Sequence, residues 1–184
     1  GAEPAAVGEI VVTARLRDEG LLSVPVAVSA LSSEDLNRYN ASDLTKIGEM
    51  SPTVIISNYR TIGGGSLSIR GISSPPTQVG YEQPVSVALD GVQTSSGRVA
   101  TLGFFDLKQV EILKGPQGTL FGRNTIGGAI SIVTADPGNA FKAKGDVTVG
   151  SYNLFQARGS VTVPITDGLS SALTFGIKSR DGFL

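Results

Sequence analysis

Between Asp106 and Thr134 the chain gathers residue types that could handle an anion: DLKQVEILKGPQGTLFGRNTIGGAISIVT. Gly115, Gly118, Gly122, Gly127 and Gly128, with Pro116, stand between two β-rich runs, 110–113 and 129–133. Glycines this dense supply φ > 0 turns or allow backbones to approach where a Cβ would not fit. Lys114, Arg123 and Glu111 put charge on the same frame. The segment is therefore either a loop cradling an anion or a tightly folded frame that fits inside something else. A P-loop needs a Gly-Lys-Ser/Thr step leading into a helix, whereas Gly122 is followed by Arg123-Asn124-Thr125 and then a strand-like run. The dinucleotide fingerprint Gly-x-Gly-x-x-Gly is missing too. Both facts favour the frame.

Other chemistries have less to work with. The sequence holds no Cys and no His, which removes thiol catalysis, disulfides and most zinc or copper sites. Acid–base work would fall to carboxylates or Lys, and no acidic pair is singled out by spacing. The serines lack a Gly-x-Ser-x-Gly elbow. No catalytic residue, metal or cofactor is expected, and the chain does not read as an enzyme. With 15 basic and 16 acidic residues nearly cancelling, no global field recruits nucleic acid. Charged residues make up 17% of the chain, which is low against about 25% for ordinary soluble domains. No apolar run is long enough for a membrane-spanning helix.

The elements that would position the frame can be read along the chain. Residues 1–23 lack a durable period apart from one β-prone hexamer, Glu9-Ile10-Val11-Val12-Thr13-Ala14. It has no evident partner nearby, so it reads as a frayed end, an edge strand, or a peptide offered for strand addition. A short strand is expected over 24–29, followed by a helix capped by Ser32 or Ser33 and reaching Tyr39, with Glu34 and Asp35 in its first turn. A second short helix is expected over 41–47, capped by Ser42 and ended by Met50-Ser51-Pro52. Strands are expected over 54–57, 66–70 and 85–89, separated by long polar connections at 58–65, 73–84 and 91–103. Residues 107–113 mix a turn of helix with a strand. The first 135 residues thus read as α+β.

After Pro137 the texture changes to three alternating runs. Val147 and Val149 alternate with polar residues, then Phe155, Ala157, Gly159, Val161 and Val163, then Leu169, Leu173, Phe175 and Ile177. Strands of about 9–11 residues with one apolar face suit a transmembrane barrel wall. A half-buried antiparallel sheet in a soluble protein alternates in the same way. Three strands alone leave two open edges and an uncovered apolar face, as expected of a sheet cut from a larger one.

Taken in order, these pieces resemble the plug domain of TonB-dependent outer-membrane transporters. Glu9-Ile10-Val11-Val12-Thr13-Ala14 is similar to the TonB box. Val24-Pro25-Val26-Ala27-Val28, Leu67-Ser68-Ile69-Arg70-Gly71 and Val87-Ala88-Leu89-Asp90-Gly91-Val92 resemble successive plug strands. The most specific element is Val110-Glu111-Ile112-Leu113-Lys114-Gly115-Pro116, with Leu120-Phe121-Gly122 and Ile126-Gly127-Gly128-Ala129-Ile130.

The resemblance implies a flexible N-terminus over 1–23 with its TonB box at 9–14. It implies an α+β plug over 24–135, a mixed small sheet with short helices and long loops. The first antiparallel strands of a truncated outer-membrane β-barrel would occupy 141–184. It implies active uptake of a scarce nutrient such as a siderophore–iron complex, cobalamin or a saccharide. The localisation implied is the outer membrane of a Gram-negative bacterium, with the plug in the barrel lumen and the N-terminus periplasmic. Implied partners are TonB with its inner-membrane energising complex, the chain's own barrel and a small-molecule substrate. Loops 70–84, 91–98 and 101–105 would be the outward apices, with Tyr59, Arg60, Arg70, Tyr81, Gln93 and Thr101 as substrate contacts. Arg70, Lys114 and Arg123 would meet the barrel's inner wall, with local pairing of Lys114 to Glu111 as the alternative for that residue. The rival reading is a soluble or surface-exposed binding or adhesion module.

Overall fold

The computed structural model describes residues 11–12, 19–20, 27–41, 43–57, 65–73, 83–94, 104 and 106–182. The chain divides into two units, Gly1–Thr134 and Ala135–Leu184. In the first unit, β1 (Val11–Val12) pairs antiparallel with β2 (Glu19–Gly20). The expectation that the β-prone hexamer has no neighbour in the chain is therefore corrected: Val11 faces Gly20 and Val12 faces Glu19.

The main sheet has five strands in the order β3-β8-β9-β6-β7. They are β3 (Ala27–Ser32), β6 (Val85–Leu89), β7 (Val92–Thr94), β8 (Leu107–Lys114) and β9 (Gly128–Thr134). All pairings are antiparallel except β6 with β9, which run parallel. Residues 107–114 are strand throughout, with a register irregularity between Leu107 and Gln109 in place of a helical turn. From Gln109 on the strand is paired on both sides, with β3 and with β9, and Leu107 is already paired with Thr134 of β9, so the backbone is extended from the start.

Period-two alternation gives this sheet two different faces. Val110 and Ile112 of β8, Ile130 and Ile132 of β9 and Val85 and Val87 of β6 are buried on one face. They share a core with Leu36, Leu44 and Ile47 and with Val54, Ile56, Leu67 and Ile69. The latter four come from an antiparallel pair, β4 (Val54–Ser57) and β5 (Ser66–Ile69). The opposite face carries Leu113 and Ala129 packed with Val28 and Phe121, then Ser86, Glu111 and Ser131, all buried.

Two short helices close the apolar face. Helix α1 (Ser33–Arg38) starts from Ser32, whose Oγ accepts from the Asp35 amide at 3.2 Å, while Asp35 Oδ2 accepts from the Ser32 amide at 3.2 Å and hydroxyl at 2.7 Å. This reciprocal box satisfies two amides the helix cannot, and it holds the Asp35 carboxyl below its ordinary value, chiefly through the Ser32 hydroxyl. Helix α2 is Leu44–Glu49, later than expected. Its cap is Asp43, whose Oδ1 accepts from the Lys46 amide at 3.0 Å, in place of Ser42, which lies outside the described residues. A carboxylate there also suits the positive end of the helix dipole.

The second unit is one antiparallel sheet, β10 (Lys142–Gly150), β11 (Leu154–Thr166) and β12 (Leu169–Ser179). Its apolar residues stand on the open side: Val149, Leu173 and Ile177 are 75%, 68% and 63% exposed, with Val147, Phe155 and Phe175 beside them. On the polar face Gln156, Ser160 and Thr162 are buried, and Arg158 grips Asp146 across the strands, its Nε lying 3.0 and 3.2 Å from the two carboxylate oxygens. The Phe175 ring covers Gly159, its register partner, so a Cβ there would strike the ring.

Candidate functional site

The glycine-rich segment is a closed frame. Its ends are joined by the Gly115 amide donating to the Gly127 carbonyl at 3.2 Å, and the Gln117 amide donates to Thr125 at 3.0 Å. Inside lies the single-turn helix α3 (Gly118–Phe121), where the amides of Leu120 and Phe121 both return to the Gln117 carbonyl. Thr125, buried, donates its hydroxyl to the Gly122 carbonyl at 2.8 Å. Amides spent on these internal bonds are not converged on a ligand, which decides against an anion cradle. The frame is stitched to the sheet by the Gly127 amide on the Pro84 carbonyl. At Gly128 φ is +138°, and a Cβ would collide with the Leu113 carbonyl oxygen, so no other residue fits this crossing of β8 and β9.

The charges fall into distinct settings. Glu111, wholly buried, accepts from Gln109 Nε2 at 2.6 Å. Lys114, three residues on, points to the opposite face of β8 and donates from Nζ to Ser29 Oγ at 2.7 Å. The local partner of Lys114 is thus a hydroxyl of β3, and the alternation of the strand keeps it from Glu111. Arg70 begins the two-residue turn Arg70-Gly71, with φ of +52° and +82°, closed by the Ile72 amide on the Ile69 carbonyl at 3.0 Å. Its side chain is exposed, and the Ile72 side chain lies against Gly127. Arg70 and Lys114 therefore sit at the end of the sheet where β9 begins. Arg123 is exposed on the frame itself.

Gln93 on β7 donates its amide to Ser86 Oγ at 2.9 Å and to the Phe121 carbonyl, which ties the edge strand to the frame. Tyr59, Arg60, Tyr81 and Thr101 lie outside the described residues, as do Glu9, Ile10, Thr13 and Ala14. Sequence reasoning passed over Gln83, which is buried beside β5 with Nε2 facing the Gly65 carbonyl and Oε1 facing the Leu67 amide, both at 3.5 Å. It also gave no role to the Asp90 carboxylate. The signal for Asp90 was the Asp-Gly pair between two strand-like runs, which demands a turn with φ > 0 at both positions. No group of residues suited to a metal ion occurs among the described residues.

Known proteins place this arrangement. The family described as TonB-dependent Receptor Plug Domain matches residues 21–129, so the chain belongs to that family. The pesticin receptor of Yersinia pestis is 32% identical over 145 residues, 78% of this chain and 21% of the receptor. The vitamin B12 transporter BtuB of Vibrio vulnificus is 24% identical over 180 residues, 95% of this chain and 28% of that protein. The crystal structure of the ferric yersiniabactin uptake receptor FyuA from Yersinia pestis matches with a TM-score of 0.70 at 29% identity, over 82% of this chain and 24% of that one. The ferripyoverdine receptor of Pseudomonas aeruginosa shares the fold with a TM-score of 0.75 at 16% identity, over 92% of this chain and 22% of the other. The chain thus spans between about a fifth and somewhat over a quarter of the length of these relatives.

Proposed function

We propose that this chain supplies the gate and the first wall strands of an energy-coupled transporter in a Gram-negative outer membrane. The observation that carries the reading is the sheet β10–β12, whose apolar row is exposed while the side chains buried on its central strand, Gln156, Ser160 and Thr162, are polar. A soluble half-buried sheet does the reverse. A barrel wall needs apolar residues toward lipid and polar ones toward the lumen. Joined to a plug-family unit, such a sheet begins the barrel that the plug closes.

In this reading residues 9–14 form the contact with TonB by strand addition. Among the described residues β1 pairs through Val11 and Val12, and a two-residue ribbon is marginal by itself. Val12 is buried, so a partner strand that replaces Glu19–Gly20 must also draw that side chain out, and a longer ladder of backbone bonds would offset the cost. The cargo is a scarce nutrient of the siderophore–iron or cobalamin kind, supported by relatives named for ferric yersiniabactin and vitamin B12, or a saccharide. Arg70 and the loops beyond the described strands meet it, while Lys114 and Arg123 meet the wall. No step is catalytic.

The test is Val11→Pro in the complete transporter, with ferric siderophores and cyanocobalamin as probes. Proline removes a ladder donor and fixes φ. Energised uptake is expected to vanish while equilibrium binding to the cells persists. Undiminished uptake would sink the assignment.

A further inference from the structure

The pairing of the parallel strands β6 and β9 ends at Leu89 and Ile132. There β6 turns back through Asp90-Gly91, with φ of +47° and +81°, while β9 runs on to Thr134, the last residue of the first unit. The turn diverts the backbone that would have paired with the end of β9. Asp90 replaces it. Its amide donates to the Ile132 carbonyl at 3.0 Å, its Oδ1 accepts from the Thr134 amide at 2.9 Å, and its Oδ2 accepts from the Thr134 hydroxyl at 2.9 Å. The turn alone would accept Asn or Gly as readily as Asp at this position. A carboxylate adds an acceptor for each of the two Thr134 donors, with the strength of a charged acceptor.

We infer that Asp90 and Thr134 form an exit clasp, which fixes the chain at the point where it leaves the plug. Asp90 is a positioning residue: through Thr134 it sets where residues 135–141 begin, and so the fixed end about which the rest of the plug is remodelled. The structural clasp stands independently of transport; its role as a tether rests on the gate-and-wall reading given above. The two fail separately, because the clasp is read by exchange and the gate-and-wall reading by the uptake of Val11→Pro.

The experiment is amide hydrogen exchange on the complete transporter in detergent, comparing the original protein with Asp90→Ala and Thr134→Val. Loss of a charge-assisted bond at this partly exposed site is expected to speed exchange at Thr134 roughly tenfold in Asp90→Ala. In Thr134→Val, which keeps the backbone donor and the β-branched shape, the expected rise at residue 134 is about two- to threefold. Exchange at 110–113 and 129–131 stays unchanged in both. Faster exchange across the whole sheet would mean general destabilisation and would overturn the clasp, as would unchanged exchange at Thr134. If Asp90→Ala does not fold, Thr134→Val carries the decision alone: faster local exchange supports the clasp, and no change removes it.

Discussion

The two larger sheets of this chain are written in the same alternating pattern and put it to opposite use. In the five-stranded sheet Val110, Ile112, Ile130 and Ile132 turn inward onto helices and the β4–β5 pair, and all four are fully buried. In the three-stranded sheet Val147, Val149, Leu173 and Phe175 turn outward and stay exposed. Alternation therefore states which residues share a face, and not which face meets water. What separates the two is the other face. Beside the buried apolar row of the first sheet lie mostly small residues, Ser86, Ala88, Ala129 and Ser131, with Leu113 and the hydrogen-bonded Glu111 among them, and all are covered. In the second sheet the other row holds Asp146, Gln156, Arg158 and Lys178, too polar for lipid and too long for a dry core.

The comparison breaks most visibly where one sheet is given the chemistry of the other. Ile112→Ala empties a fully buried position and is expected to destabilise the plug by about 2–5 kcal/mol in urea titration, whereas Val149→Ala, at a position 75% exposed, should leave the same transition nearly unmoved. Phe175→Arg is expected to cost about 2–4 kcal/mol in folding of the complete protein into lipid vesicles if this side chain sits near the bilayer midplane. Thr174→Arg on the neighbouring face should cost much less, and equal costs would erase the distinction between faces. Gly128→Ala, which strains a positive φ and drives a Cβ into the Leu113 carbonyl oxygen, should cost about 2–4 kcal/mol by the same titration.

Much of this was legible in the residues. Strands 54–57 and 85–89 stand where propensity and flanking turns put them, because β-branched runs bounded by Pro, Gly and Asp leave little choice. The glycine segment was narrowed to a frame by what followed Gly122. Other features depended on tertiary partners. Residues 107–108 became strand through the pairing of Leu107 with Thr134, α2 began late with Asp43 as its cap, and Ser29 was invisible as the partner of Lys114 from 85 residues away. Burial of Glu111 follows from its place in a central strand, and strand order cannot be read from spacing. The pairing of Val11–Val12 with Glu19–Gly20 was likewise hidden, since neither short run signals a hairpin.

Smaller effects sharpen the account of the first unit. Ser32→Ala removes the capping box of α1 and should lower stability by about 1 kcal/mol. The same box makes an acid-sensitive contribution. Because Ser32 lowers the Asp35 value in the folded state, the stabilisation is complete above the ordinary 3.8 and is lost as pH falls through the lowered folded value. Acid titration of Ser32→Ala against the original protein should show the difference between them shrinking below about pH 4.

The central claim, that β10–β12 form a wall with its apolar row toward lipid, is tested most directly by nitroxide scanning of residues 171–178 in the complete protein reconstituted in vesicles. The account predicts that collisions with oxygen alternate with period two, high at Leu173, Phe175 and Ile177 and low at Thr174, Gly176 and Lys178. A profile without that period, or one in which the apolar positions are reached by a water-soluble relaxer but not by oxygen, would contradict it.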